Sequence, residues 1–462
     1  MSADASASPA VSRRSRLDEV RALQHTLYRT AKAGPGRRFH ALWDKVFRRD
    51  VLWRGWVAVR ANNGAPGIDK TTLDQIEREY GALRLVDELA AELREGRYRP
   101  LPARGVLIPK PGVTGEYRPL AISAVRDRVV QAALKIVLEP VFEADFVPCS
   151  FGFRPRRSAH DALQVIIDEA WRGRRWVVET DIASCFTAIP HNKLMQAIEE
   201  RVVDQSVLRL LRQILRAGVM QEGQVRREVT GAAQGGPLSP LLCNIYLHRL
   251  DREWDVREHG VLVRFADDLL VMCKSAQQAQ AALARLRQLL AELGLEPKEA
   301  KTRIVGLEEG GPGFDFLGFH HQMVRSRGYR TGRGTVFLAR WPADKAMRHA
   351  RDQIRALTVR SRLLLSPEAV VQDINMFLRG WMTYFKYGHS AARFAKISDF
   401  ATVRLAIFVG KRHKRGRRFG LNVVAYLSPD RCGLISMSGI VVPPRANKPW
   451  RERPHAGGER RR

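Results

Sequence analysis

The sequence predicts an α+β fold, with a ferredoxin-like sheet in mid-chain and a basic helical region behind it. Three observations predict this. Two apolar runs, Val261–Phe265 and Leu269–Cys273, flank Ala266-Asp267-Asp268 as the arms of a β-hairpin flank its turn. The order strand, helix, strand, strand, helix, strand through residues 176–319 is that of a split βαβ unit. Charge is unevenly divided: of a net +30 over 462 residues, +22 falls after His320. A near-neutral body with a strongly basic appendage fits a nucleic-acid partner. A GC-rich coding bias would explain the excess of Arg over Lys, but not the asymmetry.

The length exceeds the usual single domain, so two to four structural units are expected. No run of eighteen apolar residues is present, so no membrane span is expected. The opening MSADASASPAVSRRSRLDEV lacks the apolar stretch of a secretory signal and reads as a disordered start in a cytoplasmic protein. Cys149, Cys185, Cys243, Cys273 and Cys432 are scattered, with no zinc spacing, and read as buried thiols in a reducing compartment.

Helices are expected over Arg16–Thr30 and Arg37–Val59, where Leu42, Val46 and Trp53 recur at helical spacing, and then over Thr72–Gly81 and Val86–Gly96. Asn62–Gly67 is a loop by composition. Val106–Pro109 and Tyr117–Ile122 read as strands around a Lys110-Pro111-Gly112 turn. A strand at Trp176–Ile182 leads to helices at Lys193–Val203 and Ser206–Ala217, a hairpin at Gly218–Thr230, and a helix at Pro237–Asp255 with its proline in the first turn. After the acidic hairpin, Ala276–Leu293 is amphipathic (Ala279, Leu283, Leu286, Leu290) and ends at Gly294, and strands at Arg303–Val305 and Phe314–Phe319 close the unit. Beyond His320, a basic helix is expected over Ala343–Leu365. Ser366-Pro367-Glu368 opens another, with Val370, Ile374, Phe377 and Trp381 on one side. These apolar stripes read as packing faces. Lys411–Arg418 holds six Lys or Arg in eight residues.

Asp267-Asp268 alone is ordinary turn chemistry. Asp181, at the end of a separate apolar run, changes its meaning: three carboxylates at neighbouring strand ends could hold divalent metal, as in a polymerase palm. Four further segments support this. Gly231–Leu242 is a Gly-rich loop opening a helix, able to approach a nucleotide closely. Asp181-Ile182-Ala183-Ser184-Cys185-Phe186 places an aromatic where it could sit under a sugar. Lys110 and Arg118 share a hairpin and are available to phosphates. The run from Tyr117-Arg118-Pro119-Leu120 to Arg154-Pro155-Arg156-Arg157 is a basic, proline-punctuated finger.

With these segments in view, the chain resembles the bacterial group II intron reverse transcriptases/maturases. The blocks NNGAPGID, IPKPGVTGEYRPLAI, VRDRVVQAALKIVLEPVFEADF, SFGFRPRRSAHDAL, TDIASCF, QGGPLSPLLCNIYLHRLD, RFADDLLV, GLEPKEAKTRIV and FDFLGF carry the likeness from about Asn62 to Phe319. FLRGWMTYFKYG and RFAKISDFATVRLAIFVGKRHKRG extend it through a thumb or maturase domain to a basic tail. The resemblance implies a right hand of fingers, palm and α-helical thumb. It implies an N-terminal extension over 1–60, fingers and palm over 61–320, a thumb/maturase domain over 335–410 and a nucleic-acid-binding tail over 411–462. Asp181, Asp267 and Asp268 match the catalytic metal triad, with Ile182 in the ligand set, for two Mg²⁺ ions or Mn²⁺ in their place. Phe186 matches the aromatic that excludes a ribose hydroxyl. Gln234 and Gly235 match the loop against the incoming dNTP, Lys110 and Arg118 the triphosphate contacts, and Lys301 a lysine for the leaving pyrophosphate. Arg154, Arg156, Arg157, Lys411, Arg412, Lys414, Arg415, Arg417 and Arg418 are expected to meet nucleic acid.

The sequence also departs from the family pattern. Phe265 stands where Tyr is usual, Ala183-Ser184-Cys185 replaces Lys-Gly-Phe, and Thr187-Ala188-Ile189-Pro190 replaces an Asp-containing run. None of these removes an expected metal ligand. The Cys/His pairs of an HNH endonuclease are not found, so target-strand cleavage is not expected. The expectation is therefore an RNA-directed DNA polymerase that copies intron RNA from a DNA primer with dNTPs, and that assists splicing and mobility in a ribonucleoprotein. A splicing chaperone with little polymerase activity and a domesticated enzyme of phage defence are the alternatives.

Overall fold

A computed structural model of the chain describes residues 9–109, 115, 117–221, 224–226, 230–231, 235–326, 334–428 and 430–447, with side chains from residue 18 onward except at 221. The chain opens with helices α1 (Pro9–Ala33), α2 (Trp43–Val46) and α3 (Arg49–Asn62). Helix α1 begins inside the stretch expected to be disordered. Val20, Leu27 and Ala31 form a buried stripe on it, and that packing holds the helix. The expected helix Arg37–Val59 is broken. Asp204 accepts hydrogen bonds from the backbone N–H groups of Leu42 and Trp43, both at 2.8 Å, and Arg48 is extended (ψ 134°) with its guanidinium on Asp50.

Helix α4 (Leu73–Gln75), capped reciprocally by Thr72 and Gln75, runs into a π-helical turn, Ile76–Tyr80, that Gly81 ends. Helix α5 is Ala82–Arg94. Strands β1 (Ala103–Pro109) and β2 (Tyr117–Ile122) pair antiparallel from Arg104↔Ile122 to Pro109↔Tyr117. The Lys110-Pro111-Gly112 turn between them lies outside the described residues. Next come α6 (Val125–Glu143), α7 (Ala159–Trp171), β3 (Trp176–Asp181), α8 (Cys185–Ala188), α9 (His191–Glu199) and α10 (Gln205–Arg216). The short strands β4 (Val219–Gln221) and β5 (Gln224–Arg226) complete a fingers sheet in the order β2-β1-β4-β5.

Helix α11 (Ser239–Arg252) starts later than expected, so the proline in its first turn is Pro240 rather than Pro237. Helix α12 (Val256–His259), strands β6 (Val261–Phe265) and β7 (Asp268–Cys273), helix α13 (Ala276–Leu293) and strand β8 (Arg303–Gly306) finish the palm. Its sheet order, β6-β7-β3-β8 with every pair antiparallel, is the split βαβ arrangement. The expected strand Phe314–Phe319 is two strands, β9 (Phe314–Phe316) and β10 (Phe319–Arg325), because Leu317 and Gly318 both take positive φ (49° and 78°). With β11 (Val336–Pro342) they form a separate three-stranded sheet rather than extending the palm.

The C-terminal helices are α14 (Asp344–Leu357), α15 (Pro367–Phe385), α16 (Ala391–Arg412) and α17 (Arg417–Leu421). Helix α14 stops short of Leu365, where Thr358 Oγ1 bonds the Ile354 carbonyl at 2.8 Å. The expected boundary at 410/411 falls inside the last turn of α16, against which α17 packs so closely that a Cβ on Gly420 would lie 1.8 Å from the Ala406 carbonyl.

Alternation along the palm strands divides the interior. Val178, Leu262, Leu269 and Val271 face a core shared with α1, α3, α6, α11 and α13. Val177, Val263, Leu270 and Met272 face a core shared with α7, the three-stranded sheet and α14–α16. The palm sheet is therefore sandwiched between the fingers helices and the C-terminal helices. Among the described residues, no helix is long and apolar enough to cross a membrane.

Candidate active site

Asp181 ends β3 and stands in register with Asp268, the first residue of β7. Phe265, the last residue of β6, pairs with Asp268 on the other side. Asp267 occupies the turn, and its carbonyl accepts from the Ile182 N–H at 3.1 Å. The backbone thus gathers the three acids at one end of the sheet. Ile182 has a hydrocarbon side chain, which is buried, so only its carbonyl could offer an oxygen to an ion.

The acids do not form a closed cage. Among the described residues, no group of three His, Cys, Asp or Glu side chains converges closely enough to hold an ion. Asp181 is instead ion-paired to Lys301, which sits on a short 3₁₀ turn, Glu299–Lys301. The donor chemistry still suits a hard divalent cation: carboxylate oxygens, and negative charge that the protein does not fully balance. Burial pushes the Asp267 carboxyl above its ordinary range. Asp268 is pushed up to about 7, first by burial, then by Asp267 and Glu179. Arg118 on β2 and Lys345 on α14 oppose the shift at Asp268, and Arg118 also opposes it at Asp267, so fingers and thumb both send positive field to the turn.

The turn is held from beneath by a buried network that sequence reasoning missed. Arg264 is fully buried; its guanidinium donates to both oxygens of Asp251 (2.7 and 2.5 Å), to Asn244 Oδ1 and the Ala266 carbonyl (3.0 Å each), and to Ser150 Oγ (2.7 Å). Asn244 in turn donates to the Gly152 carbonyl at 2.8 Å. A Cβ on Gly152 would lie 2.4 Å from the Ala266 nitrogen, so only glycine lets this loop press on the turn. Ala266 itself is left-handed (φ 57°). An arginine inside an otherwise apolar strand was the signal in the sequence.

Phe186 is half-buried on α8, which starts from a left-handed Ser184 (φ 47°). Beside it Cys185 Sγ packs 3.7 Å from Cys243 Sγ. Those two cysteines and Cys273 are buried, whereas Cys149 and Cys432 are only half-buried. The described ends of the Gly-rich loop bridge palm and fingers. A Cβ on Gly231 would lie 3.0 Å from Thr187 Cα, and one on Gly235 (φ 122°) would lie 2.9 Å from the Ala121 carbonyl on β2. Gln234, like Lys110, lies outside the described residues. Arg118 is exposed on β2.

The basic finger divides. Arg154 is a correction: it is buried, paired with Glu143 at 2.8 Å, and donates to the carbonyls of Phe146, Val147 and Ser150, so its guanidinium organises its own loop and is closed to nucleic acid. Arg157 is half-buried over the Phe151 ring, and Arg156 is exposed. Lys411, Arg412, Lys414, Arg415, Arg417 and Arg418 are all exposed around the α16–α17 turn. Arg412 is partly committed, bonding the carbonyls of Leu363 and Leu365.

An antiparallel sheet of this order, with acids at one strand end and a second sheet beside it, is the arrangement expected of a reverse transcriptase palm and fingers. Residues 108–321 match the family model "Reverse transcriptase (RNA-dependent DNA polymerase)", and residues 347–423 match "Group II intron, maturase-specific domain". Among relatives, Protein YkfC of Escherichia coli is 32% identical over 368 residues, covering 71% of this chain and 94% of that protein. The "Uncharacterized 91 kDa protein in cob intron" of Schizosaccharomyces pombe is 28% identical over 84% of this chain and 57% of its own length. The group II intron-encoded protein LtrA of Lactococcus lactis is 37% identical over 46% of this chain and 35% of its own. The chain thus spans little more than half of the fission yeast relative and about a third of the lactococcal one. It belongs to the group II intron reverse transcriptase/maturase family.

Proposed function

We propose that this chain is an RNA-directed DNA polymerase that also assists splicing of a group II intron. The observation that carries the reading is the register of Asp181 with Asp268 beside Asp267, with both carboxyls of the turn pushed upward in burial. Asp181, Asp267, Asp268 and the Ile182 carbonyl would hold two Mg²⁺ ions, or Mn²⁺ in their place. When bound, such ions activate a primer 3′-hydroxyl and neutralise triphosphate charge. The protein's own contribution is positioning. Phe186 and the loop at Gln234-Gly235 close on the sugar and base of the dNTP. Lys110 and Arg118 hold its phosphates. Lys301, exchanged from Asp181, stands by the leaving pyrophosphate. The substrates are intron RNA as template, a DNA primer and dNTPs, in a cytoplasmic ribonucleoprotein. The proposed division of labour gives fingers and palm to 61–320 and maturase to the region from 335, with the basic tail from 411 overlapping the end of the maturase-specific match at 423.

One observation favours a second reading, a splicing chaperone with little polymerase activity: Asp181 is held by Lys301 and the acids do not converge. Primer extension on an RNA template with dNTPs and Mg²⁺ separates the two. Processive, chelator-sensitive incorporation is expected; binding of the RNA without any incorporation would favour the chaperone.

A further inference from the structure

We propose that Leu364, at the tip of the loop joining α14 to α15, is an apolar wedge that contacts an unstacked base of the bound RNA. The proposal rests on the reading that the maturase region binds RNA. Leu364 is 95% exposed, the most of any large apolar residue among those described, and its neighbours Leu365 and Val359 are each 39% exposed. Burying a leucine is worth about 2 kcal/mol, which this side chain could gain by folding back onto the protein. Here the backbone prevents that. Arg412 Nη1 reaches from the end of α16 to the carbonyls on both sides of the tip, Leu363 at 2.6 Å and Leu365 at 2.7 Å. The Leu365 N–H bonds the Arg362 carbonyl at 2.9 Å, Ser366 caps α15, and Arg362 is anchored on Asp373. The tip is thus ordered before any partner arrives, which removes the entropy of fixing it on binding.

Charge selects the partner. Arg360 is exposed on the same loop, and Arg412 brings the loop against the exposed run Lys411, Lys414 and Arg415, with Glu368 the acid facing Arg412. A small apolar tip ringed by cations suits a polyanion with apolar faces inside it. RNA provides those faces where a base is unstacked in a loop or bulge, and leucine is among the apolar side chains that insert at base steps of duplex DNA. A second copy of the chain, itself at +30, would meet like charge there.

The test uses the full-length protein and two RNA probes, a plain duplex and the same duplex with one unpaired fluorescent adenine analogue. Leu364→Ser should lower affinity for the bulged probe about tenfold more than for the duplex, the scale of a lost leucine contact, and should abolish the fluorescence change of the unpaired base. Leu364→Met keeps the apolar reach and should retain the wild-type preference. Lys414→Gln/Arg415→Gln should weaken both probes and flatten the salt dependence. If Leu364→Ser keeps the wild-type preference while the double variant weakens both, the wedge is wrong and the RNA-binding reading stands. If neither variant weakens binding, the RNA-binding reading fails and the wedge fails with it. If Leu364→Ser only converts an oligomer to a monomer, the tip is a self-association contact and the proposal is overturned.

Discussion

The palm and the maturase region both depend on charge but treat it in opposite ways. In the palm, two acids are answered by protein cations: Arg264 and Asp251 have no exposed side-chain surface, and the half-buried Asp181 is paired with the more exposed Lys301. Around the α16–α17 turn, six Lys and Arg side chains stand in solvent. Buried charge fixes one geometry, because an unanswered ion in low dielectric is destabilising by several kcal/mol. Apart from Arg412, which ties down the loop before α15, this exposed charge makes no contact among the described residues that holds the fold, but it creates a field that a polyanion can follow. The same residue types therefore serve placement of a reacting group in one region and capture of a large ligand in the other. The prediction is that substitutions divide along this line.

The largest effect is expected at the sheet end. Asp181→Asn should reduce dNTP incorporation roughly a thousandfold or more in primer extension, the scale of losing a reacting group, while unfolding in urea changes little. Next, Arg264→Met should destabilise the fold by about 3–5 kcal/mol, since Asp251 is left as an unpaired buried charge. The double variant Arg264→Met/Asp251→Leu should recover most of that loss by urea unfolding, whereas single substitutions at Lys411, Lys414, Arg415, Arg417 or Arg418 should stay within about 0.5 kcal/mol. Should Arg264→Met be as stable as wild type, the contrast between the regions collapses. Phe186→Val should raise ribonucleotide relative to deoxynucleotide incorporation roughly tenfold or more, read by competition in extension assays. Lys414→Gln/Arg415→Gln should reduce the slope of log affinity against log salt by about two, one for each phosphate contact.

The last effect concerns pH. Asp268 is pushed up to about 7 from 3.8 by burial, so the folded state holds its proton after the unfolded chain has lost it. That raised value makes the metal-free protein lose stability as pH rises from 3.8 toward about 7, and Asp268→Asn should flatten the decline in thermal unfolding. Added Mg²⁺ should raise the melting temperature by a few degrees (~2–4 °C) above that window and not below it, where protons occupy the carboxyls.

Much of the palm was legible in the sequence because its signals are local. Ala276–Leu293 is exposed on one face only, and β6 and β7 are short, largely apolar runs on either side of a turn whose acids announce themselves. What escaped the sequence depends on contacts distant in the chain. Arg154 reads as one more cation in a basic finger until Glu143 and three carbonyls close around it. Arg264 joins Ser150, Asn244 and Asp251, partners that no periodicity links. The break at Leu317-Gly318 redirects a run of apolar residues into a second sheet through two positive φ angles, which composition does not show. At the site, the sequence indicated which acids gather but not that Lys301 holds Asp181.

The central claim is that polymerisation resides in the palm and RNA capture in the basic region, and that the two are separable. It is tested most directly by measuring primer extension and equilibrium binding on one RNA for Asp267→Ala and for Lys414→Gln/Arg415→Gln. The account predicts that Asp267→Ala binds as tightly as wild type and incorporates no dNTP, while the double variant binds weakly yet extends the primer once RNA is saturating. Binding that collapses in Asp267→Ala, or incorporation that survives in it, would contradict the account.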